Sequence, residues 1–201
     1  VNSINWARII AQSVYYFYCY FLVEDNSKPI NFSVPTGNFG DVYAGYLAKK
    51  IGLPINKFIV ATNQNDILHR AITNGAYNVE NVSETISPSM DIQIASNFER
   101  LIFDLNNHSD KKTIDVMKSI KEKGKYEIQK ENLDKINVDF LSSRMDETEV
   151  LNTIKTVYEK FDKVLDPHSA IGYGAFDKVD LKGHNILLAT AHPCKLSLIH
   201  I

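Results

Sequence analysis

A glycine-containing segment near the start of the chain has the residue types of an anion-binding loop. It reads Val34-Pro35-Thr36-Gly37-Asn38-Phe39-Gly40-Asp41. Glycine allows the backbone to approach a ligand closely, and consecutive N–H groups without partners attract negative charge. A phosphate group would suit such a loop, whereas the alternative is ordinary packing of a helix against a sheet.

The residues on either side of this segment predict the elements that must hold it. The apolar run Ile30–Val34 predicts a buried strand that stops at Pro35. Apolar side chains then recur at helical spacing, at Val42, Tyr43, Tyr46 and Leu47. The loop would therefore join a strand to the N-terminus of a helix, where the helix dipole adds positive potential.

The rest of the chain alternates predicted strands and helices. Further strands are predicted over Lys57–Ala61, Val138–Leu141 and Asn185–Thr190, and further helices over Trp6–Tyr20, Asn97–Leu105 and Asp146–Phe161. Asn63 or Asn65 would cap another helix that runs to Ile72 and is closed by Asn74-Gly75. This order predicts an α/β fold, with an open, mainly parallel sheet and helices on both faces. Thr36–Gly40 and Thr190–His192 would then lie at the carboxyl ends of strands, where such sheets bind ligands.

Changes in charge divide the chain into predicted regions. Residues 1–108 would form the first part of the α/β domain, and residues 146–195 the remainder. Between them, residues 109–145 are rich in Lys and Glu and are interpreted as a charged helical insertion or small lobe. The apolar residues 196–201 are interpreted as a truncated or non-native tail. Because the chain begins with Val1 rather than Met, we expect it to be a fragment.

The composition excludes several classes of protein. With 201 residues and 44% hydrophobic content, the chain can bury a substantial core. A net charge of −2 gives no electrostatic sign of nucleic-acid binding. The two cysteines, Cys19 and Cys194, predict neither disulfides nor a metal site, and the apolar segment Val14–Val23 is too short to span a bilayer. These properties predict a soluble, cytoplasmic protein.

Several ordered motifs together resemble one enzyme family. They are Val1-Asn-Ser-Ile-Asn-Trp-Ala-Arg8, Val34-Pro-Thr-Gly-Asn-Phe-Gly-Asp41, Ala61-Thr-Asn-Gln-Asn-Asp66, Ser87-Pro-Ser-Met-Asp-Ile-Gln93, Ser96-Asn-Phe-Glu-Arg100, Asp166-Pro-His-Ser-Ala170 and Ala189-Thr-Ala-His-Pro193. The chain is similar to the threonine synthases, pyridoxal-phosphate enzymes of fold type II with a tryptophan synthase β-like fold. The resemblance implies a lyase of threonine biosynthesis that converts O-phosphohomoserine and water into threonine and phosphate.

The same resemblance implies a role for each residue of the glycine loop. Gly37, Asn38, Phe39 and Gly40 match the loop that holds the phosphate of the cofactor, pyridoxal 5'-phosphate, through backbone N–H groups. Asp41 belongs to the same loop, and we expect its carboxylate to point away from the phosphate or to accept N–H groups at the start of the helix. Outside the loop, Thr190 matches the residue whose hydroxyl meets the pyridine nitrogen of the cofactor.

A second group of residues is implied to bind the substrate. Ser3, Asn5 and Arg8 match the segment that receives the phosphate of the substrate, where Arg offers a forked set of donors. Alternatively, Ser3 and Asn5 cap the first helix and Arg8 pairs with a surface carboxylate.

The resemblance also implies that the Schiff-base lysine lies upstream of this chain, so no catalytic residue is predicted within it. The fragment alone is therefore expected to be inactive. Ser89, Asp91 and Gln93 are expected to line or brace the cleft, and no role is assigned to His168 or His192. Trp6 and the tyrosines between Tyr15 and Tyr20 are expected to be core residues.

Two other functions stay open at this stage. One is another fold-type-II lyase, such as a threonine dehydratase or a cysteine synthase. The other is a non-catalytic relative that uses the loop to bind a phosphate-bearing ligand. In each case the partner is a small molecule rather than a nucleic acid or a membrane, and the sequence does not predict the oligomeric state.

Overall fold

The computed structural model of the chain describes residues 5–193. The helices are α1 (Trp6–Leu22), α2 (Gly40–Lys50), α3 (Ile67–Asn74), α4 (Phe98–Leu105), α5 (Asp110–Lys123), α6 (Lys130–Asp139), α7 (Glu147–Phe161) and α8 (Pro167–Gly174). The strands are β1 (Ile30–Pro35), β2 (Ile55–Thr62), β3 (Ala76–Asn78), β4 (Lys125–Glu127), β5 (Phe140–Arg144) and β6 (His184–Leu187).

Four of these strands form a parallel sheet in the order β5-β2-β1-β6. The short strands β3 and β4 pair antiparallel with each other, apart from this sheet. Because all four main strands run the same way, the loops that follow them lie at one edge of the sheet. The predicted α/β fold with a mainly parallel sheet is confirmed.

Both faces of the sheet are covered by helices, as predicted. Along β2, the alternate residues Phe58 and Val60 belong to a core that includes Ile9 and Tyr16 of α1. The intervening residues Ile59 and Ala61 belong to a second core, with Val150, Ile154, Ala170 and Ile171 of α7 and α8. Successive side chains of a strand point to opposite faces, so each face has its own helical layer.

The charged segment 109–145 is packed onto the main core. Val116 and Ile120 of α5 and Ile136 of α6 are buried in the same cluster as β1 and β2. The last residues of the segment form β5, which pairs with β2 from Phe140 to Arg144 and is an edge strand of the main sheet. The predicted strand Val138–Leu141 therefore begins too early, because α6 continues to Asp139.

The last strand is shorter than predicted. It ends at Leu187 instead of Thr190, and the Leu188 N–H makes the last hydrogen bond to β1, to the Ser33 carbonyl at 3.0 Å. The next donor along β1 would be the N–H of Pro35, which proline lacks. Thr190 consequently lies beyond the sheet.

Only one side of α1 is buried. Tyr16 is fully buried and its ring centroid lies 4.8 Å from that of Phe32. The expectation that Trp6, Tyr15 and Tyr18 are core residues is wrong, since they are 44%, 57% and 65% exposed. Apolar residues such as Ile10 and Val14 also lie on the exposed side of the helix, because the sheet and α2 cover only one face of it. Among residues 5–193, no helix has the length and apolar character needed to cross a membrane.

Candidate functional site

The glycine loop lies at the carboxyl end of β1 and leads directly into α2, as the sequence predicts. Helix α2 begins at Gly40, with Phe39 as its N-cap residue. Within residues 5–193, no backbone N–H from Gly37 to Asp41 donates to a protein acceptor. The first N–H groups of a helix have no partner within the helix, and the dipole adds positive potential there. The loop is therefore a set of open donors suited to an anion.

The buried side chain of Phe39 holds the glycine loop in place. Its backbone has φ 64°, a left-handed conformation that is unusual for a bulky residue. Its side chain is buried, with ring centroids 5.2 Å from Phe98 and 5.9 Å from Phe140. Burial of this ring stabilises a backbone conformation that would otherwise be disfavoured.

The start of α4 holds the loop on one side. The Asn97 N–H donates to the Asn38 carbonyl at 3.1 Å, and the Ser96 hydroxyl lies 3.3 Å from Asn38 Oδ1. Asn97 is completely buried, and its Nδ2 would lie 3.3 Å from a Cβ placed on Gly40. No Asn97 Nδ2 partner is found in the described part of the chain. Ser96–Arg100 is one of the motifs that carry the family resemblance, but no pattern in the sequence indicates its contact with the loop.

A second segment lies directly against Gly37. A Cβ at this position would be 2.7 Å from the carbonyl oxygen of Ser89 and 3.3 Å from the Cα of Met90. Both atoms belong to the backbone and cannot move aside as a flexible side chain would. Glycine is therefore required for the close approach of the two segments.

Asp91 braces the segment that contains Ser89. Its carboxylate accepts hydrogen bonds from Asn63 Nδ2 at 2.7 Å, Asn65 Nδ2 at 3.0 Å and Thr85 Oγ1 at 2.6 Å. The Thr85 N–H also donates to this carboxylate, at 2.8 Å. The prediction that Asn63 or Asn65 caps the next helix is wrong, because the N-cap residue of α3 is Asp66. The side-chain amides of both asparagines instead donate to Asp91, which is more than 20 residues away in the sequence.

Asp41 and Thr190 line one groove of about 400 Å³ between α1 and the segment after β6. The Asp41 side chain thus faces α1, with Gln12 and Cys19 in the same groove. Its Oδ1 is buried and has no partner within residues 5–193. Burial raises the pKa of Asp41 from 3.8 to about 6, an effect that the Tyr16 hydroxyl partly offsets.

The start of α1 lies next to the glycine loop. A Cβ on Gly40 would be 3.6 Å from Ile9 Cδ1. Asn5 is the N-cap residue of α1, where its side chain accepts the Ala7 N–H at 2.9 Å. Arg8 is exposed in the first turn, and its N–H donates to the Asn5 carbonyl. Ile9, the residue after Arg8, thus brings the first turns of α1 against the loop, whereas Ser3 lies outside the described residues.

The part of the chain that the structure describes contains no cluster of side chains typical of a metal-binding site. No group of three or more His, Cys, Asp or Glu side chains in residues 5–193 is arranged to hold a metal ion. Open backbone donors, an arginine and a threonine hydroxyl instead favour an organic ligand that carries phosphate.

Comparison with known proteins agrees with the motifs quoted above. The chain is 43% identical to threonine synthase from Pseudomonas aeruginosa over 197 residues, which covers 97% of this chain and 42% of that protein. Its fold superimposes on PLP-bound threonine synthase from Brucella melitensis with a TM-score of 0.94 and 46% identity, covering 98% of this chain and 42% of that one. For threonine synthase from yeast, the TM-score is 0.90 and the identity 41%, with 98% and 43% covered.

No family model matches the chain. The chain spans about two-fifths of the length of the relatives that it matches. Over almost its whole length, however, it shares both sequence and fold with them, including the parallel sheet of PLP fold type II. Over almost its whole length, the chain therefore corresponds in sequence and fold to about two-fifths of a threonine synthase.

Proposed function

We propose that the full-length protein that contains this chain is a threonine synthase. It converts O-phosphohomoserine and water into threonine and inorganic phosphate, with pyridoxal 5'-phosphate as cofactor. The observation that carries the proposal is the open set of N–H donors from Gly37 to Asp41, against which Ile9 of α1 packs at Gly40. Two neighbouring anion-binding features suit a reaction in which both cofactor and substrate carry phosphate.

The residues of the site fit the cofactor. Its phosphate is an anion, and the loop offers backbone donors at the positive end of α2. A side chain would not fit at Gly37, so no side chain covers the backbone of the loop at this position. When it is bound, pyridoxal 5'-phosphate withdraws electrons from the substrate.

Each residue of the loop has a defined part in this proposal. The N–H groups of Gly37, Asn38, Phe39 and Gly40 hold the cofactor phosphate. Asp41 lies in the adjoining groove, where a partly buried carboxyl with a raised pKa carries less negative charge beside the phosphate than an exposed one. Thr190, in the same groove, offers a neutral hydroxyl to the pyridine nitrogen and leaves that nitrogen less readily protonated than a carboxylate would.

The substrate phosphate is received at the start of α1. Arg8 supplies a forked, permanently charged donor set, and Ser3 and Asn5 complete the polar shell. In the structure, the Oδ1 of Asn5 already accepts the Ala7 N–H, so its contribution to the substrate comes from its NH₂ group. None of the lysines of this chain is proposed as the Schiff-base residue, which we place in the part of the protein outside this sequence.

The remaining expectations are part of the same proposal. The enzyme works in the cytoplasm on a small-molecule substrate and does not bind nucleic acid. Residues 109–145 form a charged helical insertion or small lobe on the cofactor-binding domain, which is otherwise made of residues 1–108 and 146–195.

The test uses the full-length protein, supplied with pyridoxal phosphate and O-phosphohomoserine, and follows threonine and inorganic phosphate together. Equal release of both products is expected. A bound cofactor without phosphate release would contradict this substrate and favour another fold-type-II lyase. A folded protein that neither binds the cofactor nor releases phosphate would favour the non-catalytic relative.

A further inference from the structure

A buried histidine–aspartate pair lies behind the segment that contacts the glycine loop. His168 and Asp166, at the start of α8, are 4% and 1% exposed. The Nδ1 of His168 lies 3.0 Å from Asp166 Oδ1, which also accepts the His168 backbone N–H at 2.9 Å. Burial raises the pKa of Asp166, but hydrogen bonds from His168 and Ser169 outweigh it and leave the pKa below its usual value. Asp166 is therefore a permanent acceptor at neutral pH.

The protonation of His168 follows from its two partners. The Ser89 backbone N–H donates to His168 Nε2 at 3.2 Å. This nitrogen can accept only if it carries no proton, so the proton of the neutral ring is on Nδ1. Nδ1–H then donates to Asp166, which fixes both the tautomer and the orientation of the ring.

Ser89 connects this pair to the loop. Its N–H is held by His168, and its carbonyl oxygen would lie 2.7 Å from a Cβ on Gly37. The Asp91 network holds the same segment on its other side, through Thr85. Loss of the His168 acceptor would leave the Ser89 N–H without its partner and free the carbonyl to shift against Gly37.

We propose that His168 is a positioning residue for the glycine loop. By accepting the Ser89 N–H, it holds the Ser89 carbonyl against Gly37, and thereby keeps the N–H groups of Gly37 to Gly40 directed at the cofactor phosphate. His168 does not itself touch the cofactor. The inference rests on the proposed function, because the ligand of the loop is the cofactor proposed above.

Cofactor affinity in the full-length protein tests this role. The dissociation constant for pyridoxal phosphate is measured by equilibrium dialysis for the wild type, His168→Leu and His168→Gln. The leucine variant is expected to bind about tenfold more weakly, the effect of one lost hydrogen bond. The glutamine variant should be rescued to within about threefold, because its Oε1 can still accept the Ser89 N–H. The phosphorus-31 shift of the bound cofactor should move in the leucine variant and not in the glutamine variant.

A second histidine provides the matched control. His69 is half-buried and bonds to Ser142 Oγ at 3.1 Å, and no hydrogen bond among the described residues joins it to the Ser89 segment. His69→Leu is expected to leave the cofactor affinity unchanged. An equal loss in both leucine variants would overturn the positioning role and indicate a general loss of stability.

The remaining outcomes are also decisive. Wild-type affinity in a folded His168→Leu protein overturns the inference alone, whereas a wild-type protein that binds no cofactor overturns the proposed function with it. If the leucine variant does not fold, the tautomer of His168 is measured instead, from nitrogen-15 NMR spectra of the wild-type histidines. The His168 signals are identified by their absence in His168→Gln. A proton on Nδ1 and a bare Nε2 are expected, and a protonated Nε2 would overturn the proposal.

Discussion

Gly37 and Ser89 approach each other so closely that a Cβ on Gly37 would lie 2.7 Å from the Ser89 carbonyl oxygen. The contact joins two loops at the same edge of the sheet. It places the first open N–H donor of the glycine loop against a segment that His168 and Asp91 hold from two sides. The loop and this segment are therefore expected to respond together to mutation.

Gly37→Ala tests this relationship. The new methyl group meets backbone atoms, so the two segments must move apart. Overpacking of this kind lowers the free energy of unfolding by about 1–3 kcal/mol. The free energy of unfolding, measured in urea, and the affinity for the cofactor should both decrease in this variant. Ser89→Ala keeps the carbonyl and should change neither, so a similar loss in that variant would contradict the explanation.

Asp91→Asn tests the polar network behind the loop. The amide that replaces the carboxylate would direct its NH₂ group at donors of Asn63, Asn65 or Thr85. A buried donor left without an acceptor costs about 1–3 kcal/mol. Urea unfolding should show a loss of this size. Glu84→Gln, at an exposed position in the same segment, removes the same charge and should have little effect; equal losses would assign the effect to charge alone.

Asp41→Asn is expected to stabilise the cofactor-free protein at high pH and not in acid. The folded pKa of Asp41 is raised from 3.8 to about 6, so the folded state holds a proton that the unfolded state has lost between these values. Stability therefore falls as pH rises through this range. At one pKa unit per about 1.4 kcal/mol, the carboxylate costs up to about 3 kcal/mol above pH 6.

Urea unfolding of this variant and the wild type at pH 4 and pH 8 measures the effect. The difference in unfolding free energy should appear at pH 8 and be small at pH 4. Asp115→Asn, at an exposed position, should show no such dependence. A gain from Asp41→Asn that is equal at both pH values would contradict the raised pKa.

Arg8→Ala is expected to impair use of the phosphorylated substrate while leaving the cofactor in place. A hydrogen bond to a charged group contributes about 1.5–3 kcal/mol, so kcat/KM should fall by about 10- to 100-fold. Arg8→Lys keeps the positive charge and should recover part of the lost kcat/KM. Steady-state kinetics and the visible absorbance of the bound cofactor are the measurements, and loss of that absorbance in Arg8→Ala would place Arg8 at the cofactor instead.

Local features were predictable because their causes lie within a few residues. The helix predicted over Asp146–Phe161 begins with Asp146 as N-cap, in a capping box with Glu149. The turn at Asn74-Gly75 ends α3 with Gly75 in the left-handed conformation. The first follows from side chains three positions apart and the second from a glycine at the turn itself, so both causes are local, and the loop between β1 and α2 was predicted from equally local signals.

Contacts between distant segments were not predictable from these local patterns. Asn63 and Asn65 have the residue type of helix caps, yet tertiary contacts commit their side-chain amides to Asp91. His168 reaches Ser89 across 79 residues, a pairing that no spacing in the chain indicates. Such contacts depend on which loops the parallel sheet brings to one edge.

The sequence by itself determined the α/β fold, the glycine loop at a helix start and the resemblance to the threonine synthases. These properties depend on residue order, hydrophobic period and backbone preferences that act locally. Only the tertiary structure decided that Asp41 Oδ1 is buried, that Tyr15 and Tyr18 are exposed, and that Ser89 packs on Gly37. Burial and close contact are properties of the assembled layers, because each depends on atoms supplied by other elements.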